Sequence, residues 1–85
     1  MAWTLSEIYE KAAVTSTEFQ TLEEAFSAMC DRVATLTNCD VSTIKNDVEK
    51  EILWSTDSRA GWAVVCKTFA WLKGSHHYDW DIKVV

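Results

Sequence analysis

Apolar residues recur along this chain in several distinct rhythms. Phe19, Leu22, Phe26, Met29, Val33 and Leu36 alternate spacings of three and four. That is the stripe of an amphipathic helix. Thr21 with Glu24, or Thr17 alone, can cap its start, and the pattern stops near Thr37-Asn38. Upstream, Leu5, Ile8, Tyr9 and Ala12 fall at helical spacing behind a Thr4/Glu7 capping box, which predicts a first helix over 5–13. The β-branched and hydroxylic run Val14-Thr15-Ser16-Thr17 suits a break after it. Val41, Ile44, Val48 and Ile52 predict a third helix, capped by Asp40 or Ser42, with Asp47, Glu49, Lys50 and Glu51 on its wet side. Its stripe is narrow and places it at the surface.

Beyond Ser55-Thr56-Asp57-Ser58, all good N-cap types, the chain is apolar almost throughout from Ala60 to Leu72, and Gly74 stands where a helix would stop. This predicts a fourth, central helix. The tail changes period. Tyr78, Trp80, Ile82 and Val84 alternate with His77, Asp79, Asp81 and Lys83, the pattern of a half-buried strand. Its candidate partners are Ala2 to Leu5 or the stretch around Val14. With neither, its edge is open to another chain. The expected fold is mainly α: a compact bundle of about four helices with a short C-terminal β-strand, in a single domain over 1–85.

Composition sharpens this picture in a few places. The chain has 85 residues, no proline and two glycines, Gly61 and Gly74, and so few breakers favour helices. The net charge is −5 and the eight Lys and Arg are scattered. Direct nucleic-acid binding is therefore not expected, because phosphates call for a basic surface. An acidic chain can instead mimic DNA or occupy a basic or metal-bearing protein surface. Cys30, Cys39 and Cys66 are an odd set at wide spacing, which suits buried thiols in a reducing compartment. The start lacks a signal-peptide pattern and no run is long enough for a membrane span, so the expected location is the cytoplasm.

Candidate chemistry is sparse. His76, His77 and Asp79 could contribute to a metal site, but adjacent strand residues point to opposite faces, and solvated histidines are the simpler reading. Cys30 lacks a glycine-rich oxyanion loop nearby and reads as a structural thiol rather than a nucleophile. The carboxylates of the third helix read as a solvated face. No phosphate-binding loop and no cofactor site are visible. Arg59 is less ordinary, because a cation at a helix start opposes the dipole. It either locks its turn through Asp57, an acid of the third helix, Asp79 or Asp81, or it contacts another molecule. The partner surface is expected on the tail, at His77, Tyr78, Asp79, Trp80 and Asp81, with Arg59 as a neighbour. Aromatic and Arg side chains dominate hot spots, and the two carboxylates can meet basic groups or a target's metal. The opposing reading has Tyr78 and Trp80 simply covering the fourth helix. The expected class is a non-enzymatic binding protein, monomeric or weakly homodimeric, with no metal. Its rivals are a subunit that self-associates through the tail and a small metal-dependent enzyme.

The 39–85 stretch also resembles the small type II-C anti-CRISPR proteins that bind the HNH nuclease domain of Cas9. Their pattern of Trp-Gly-Thr-Asp-Ser-Arg, an alanine-rich apolar helix and a final Trp-Glu-Phe strand is matched here by Trp54-Ser55-Thr56-Asp57-Ser58-Arg59, Ala60 to Leu72, and Trp80-Asp81-Ile82. A cysteine lies fifteen residues before the first Trp in both, here Cys39. The alignment needs one small gap after Arg59. The first half departs from the family's extended, glycine- and cysteine-rich segment, and Tyr78 and Asp79 stand where the family has small Ser-Cys residues. The resemblance implies an inhibitor from a phage or mobile element that works in the host cytoplasm by occupying a nuclease's active site.

Overall fold

A computed structural model describes residues 2–74 and 76–85. The chain runs β1 (Trp3–Tyr9), β2 (Ala12–Phe19), α1 (Leu22–Thr37), α2 (Val41–Asn46), β3 (Ile52–Ser55), β4 (Ala60–Val65), β5 (Phe69–Lys73) and β6 (Tyr78–Val84). The strands form one antiparallel sheet in the order β2-β1-β6-β5-β4-β3. The protein is therefore mainly β, and the expected four-helix bundle is overturned. No helix among the described residues is long and apolar enough to cross a membrane.

The corrections have local physical causes. The segment expected as the first helix is the β1–β2 hairpin. Its inward positions are Trp3, Leu5, Glu7 and Tyr9, a period of two that the polar Glu7 conceals. Glu10 and Lys11 turn the hairpin with positive φ. The expected fourth helix is β4 and β5, joined at Cys66, whose N–H donates to the Phe69 carbonyl at 2.8 Å. A continuous apolar run fits a buried helix or two buried strands equally by period, and its Trp, Val and Phe content favours strands. Gly74 is no helix stop. A Cβ there would crowd the Ala60 carbonyl and the Trp54 ring, so glycine permits a close backbone approach.

Two helical expectations hold in part. α1 begins at the Thr21–Glu24 capping box, the later of the two expected starts, which leaves Phe19 of the stripe at the end of β2, and it ends at Asn38 in the left-handed region. α2 is capped by Asp40 but lasts only six residues, and Ile52 belongs to β3. Both helices cover one face of the sheet. Ala25, Met29, Cys30 and Val33 of α1 and Ile44 of α2 meet Trp54, Ala63, Val65, Ala70, Leu72, Trp80 and Ile82. Phe26 of the stripe is only partly buried, beside Leu22 and Val48. The tail strand forms as expected, but at the centre of the sheet. β1 pairs along one side (Leu5 with Ile82) and β5 along the other (Ala70 with Trp80). The open edge imagined for it does not exist.

Candidate functional site: the uncovered face of the sheet

Alternation along strands sends every second side chain away from the helices. The resulting outer face divides into two halves. Over β2, β1 and β6 it is mostly polar: Glu18 pairs with Thr4, Ser16 with Ser6, and Asp81, Asp79 and Lys83 line β6, with Ile8, between Ala13 and Asp79, the apolar exception. Over β5, β4 and β3 it is apolar. Trp71 lies opposite Val64, and Trp62 lies between Lys73 and Leu53. Phe69 lies opposite Asp81 and Trp71 opposite Asp79, so the two carboxylates border the aromatic half. Leu53 is 68% exposed, Trp62 48% and Phe69 47%. An antiparallel sheet with one solvated face normally keeps that face polar. A contiguous apolar patch rimmed by charge is instead the mark of an interaction surface.

The charges on this face are already partly engaged. Lys73 Nζ sits 4.8 Å from the centroid of the Trp71 ring. Asp81 meets Lys83 at 3.3 Å, and Asp79 meets His77 Nε2 at 3.1 Å. Such exposed pairs are weak and can be exchanged for a partner's charges.

The structure separates the residues expected at the interface. Asp79 and Asp81 do lie on the outer face. Tyr78 and Trp80 point the other way, under the helix layer. Trp80 is 1% exposed and its Nε1–H donates to Glu7 Oε1 at 2.8 Å, while its ring stacks on Tyr78 with centroids 5.7 Å apart. The opposing reading, that these aromatics cover the fourth helix, fails with that helix, whose residues are β4 and β5; the two side chains pack into the core on the helix side of the sheet instead. His77 precedes β6, where its N–H donates to Glu10 Oε1 at 2.7 Å. Arg59 closes the β3–β4 turn. Its N–H donates to Thr56 Oγ1 at 3.1 Å and its carbonyl accepts from the Thr56 N–H at 2.6 Å. The Ser-Thr-Asp-Ser-Arg run is thus a hairpin turn, and the dipole argument for Arg59 falls with the helix. Of the segments that carry the anti-CRISPR resemblance, Trp80-Asp81-Ile82 is a strand as implied, whereas Ala60 to Leu72 is not helical.

Metal and nucleophile readings gain nothing from the geometry. His76 Nδ1 lies 2.7 Å from Tyr9 Oη, while His77 meets Asp79. Among the described residues no three His, Cys, Asp or Glu side chains gather as a metal-holding set. Cys30 is fully buried, and burial pushes its thiol up to about 11, with Lys45 opposing and Asp31 reinforcing. An activated nucleophile needs the opposite shift. Burial, then Glu49, also raises the Cys66 thiol. The one buried carboxylate among the described residues, Glu7, is fully engaged. Glu7 accepts from Arg32 Nε at 2.8 Å and Nη2 at 3.3 Å as well as from Trp80, and the bond to Glu7 raises the Arg32 guanidinium above its ordinary value.

No protein-family model, curated protein or solved structure matches this chain. Its function is therefore argued from its own surface. The residues that sequence reasoning missed are Leu53, Trp62, Val64, Phe69 and Trp71. One signal was available. A run apolar on both strand faces needs cover on both sides, and the single strong helical stripe, Phe19 to Leu36, can cover only one.

Proposed function

We propose that this chain is a non-enzymatic binding protein that works by covering part of another protein. Its contact surface is the aromatic half of the outer sheet face, with Asp79 and Asp81 meeting basic side chains at the border. The observation that carries the reading is the exposure of Trp62 and Phe69, each close to half, on a face no helix covers. Exposed aromatic sheets also stack unpaired bases. Here the bordering carboxylates and a net charge of −5 repel phosphates, so a protein partner fits better.

The resemblance in the second half supplies a candidate target, the HNH nuclease domain of Cas9, and a role as an inhibitor carried by a phage or mobile element and acting in the host cytoplasm. Titration of the purified HNH domain tests both parts. The wild-type chain should bind and inhibit. Trp62→Ala should weaken binding by about 30-fold, the effect of losing a hot-spot residue, with an unchanged melting temperature. Absence of any binding removes the nuclease reading. Binding that ignores Trp62→Ala removes the face.

A further inference from the structure

The two edges of the sheet are built differently. Edge strands expose unpaired backbone N–H and C=O groups, and proteins guard them by shortness, charge or bulges. β3 is guarded: it has four residues and follows Asp47, Glu49, Lys50 and Glu51. β2 is not. It has eight residues, Ala-Ala-Val-Thr-Ser-Thr-Glu-Phe, with Glu18 its only charge, and every position from Ala12 to Glu18 is exposed. Its one irregularity is the bulge at Val14, where the register with β1 shifts, and from Thr15 to Phe19 the pairing is regular. The strand also borders an open cavity on the helix side. Val14, Thr15, Thr17 and Phe19 line this cavity of about 330 Å³ against Ala28 and Arg32 of α1. Val14 is 55% exposed there, so both the backbone and an apolar side chain of this edge lack cover.

We infer that β2 is a self-association edge, on which a second copy of the chain adds its own β2 in antiparallel fashion and continues the sheet across a two-fold axis. The charge pattern selects the second copy. A two-fold axis at Ser16, inside the regular stretch, sets Ser16 against Ser16 and Thr15 against Thr17 of the second copy and keeps the two Glu18 side chains apart on either side of the axis. No like charges then face each other, and β-branched and hydroxylic residues pair across the axis, as sheets favour. A contact of one strand pair lies well below the area of a standard interface, so the dimer is weak, with a dissociation constant of roughly 0.1–1 mM. This contact is separate from the outer face, and either stands without the other.

Sedimentation velocity across a concentration series up to about 1 mM reads the equilibrium directly. Ser16→Lys places like charges at the axis on an exposed position, and should weaken dimerisation about fivefold without changing the melting temperature. Ser16→Asp should do the same. An equimolar mixture of the two variants should associate more tightly than either alone, because opposite charges then meet at the axis. A wild-type chain that stays monomeric throughout overturns the inference. So does a dimer indifferent to both Ser16 substitutions, or one abolished by Trp62→Ala.

Discussion

Glu7 is the residue on which the sequence was hardest to read. A carboxylate at an inward strand position breaks the apolar alternation of β1, and its three-residue spacing from Thr4 imitates a helix cap. The partners that make its burial tolerable, Arg32 and Trp80, are 25 and 73 residues away. No local pattern could announce them. The pair is asymmetric, with Glu7 buried and the Arg32 side chain nearly half exposed. Arg32→Ala should therefore destabilise by about 1–3 kcal/mol, less than for a fully buried pair, because it strands one buried charge. Arg32→Lys should recover only part of this, since it keeps the charge but loses the two-toothed contact. Denaturant melts of the three proteins measure the order. A loss for Arg32→Ala within experimental error would show Glu7 to be better solvated than the structure has it.

At the scale of elements, legibility follows how local the determining interactions are. α1 was legible at both ends because a cap is a contact between residues three apart, and Thr21 and Glu24 satisfy each other's backbone donors. Thr21→Ala should lower stability by about 1 kcal/mol, readable in the urea midpoint, and an unchanged midpoint would mean that α1 owes its start to packing alone. The tail strand was legible because period two is a local signal. β4 and β5 were not, because a strand buried on one side and apolar on the other has no period to see. What makes them strands is pairing, Val64 with Trp71 and Val65 with Ala70, across a turn centred on Lys67 and Thr68. The tail's place in the sheet was half legible. Ala2 to Leu5 was named as a partner and β1 is one, but β5 could not be named while its residues were read as a helix.

At the scale of the whole molecule, two helices can cover one face of a six-stranded sheet and no more. That shortage of cover turns a fold into a surface. The side chains that would be a second core in a three-layer protein are left outward, and Trp62, Phe69 and Trp71 form an apolar patch with a carboxylate border. The tail places Asp79 and Asp81 at the border of this patch, while its aromatics serve the interior. The five tryptophans report this division, because Trp62 and Trp71 lie on the outer face while Trp3, Trp54 and Trp80 lie on the inner one. The most direct measurement is a proton–nitrogen correlation spectrum that follows the indole N–H signals while the HNH domain is added. The account predicts that the Trp62 and Trp71 signals move or broaden first, while those of Trp54 and Trp80 hold their positions. Binding that shifts the Trp54 and Trp80 signals and leaves Trp62 and Trp71 in place would contradict it.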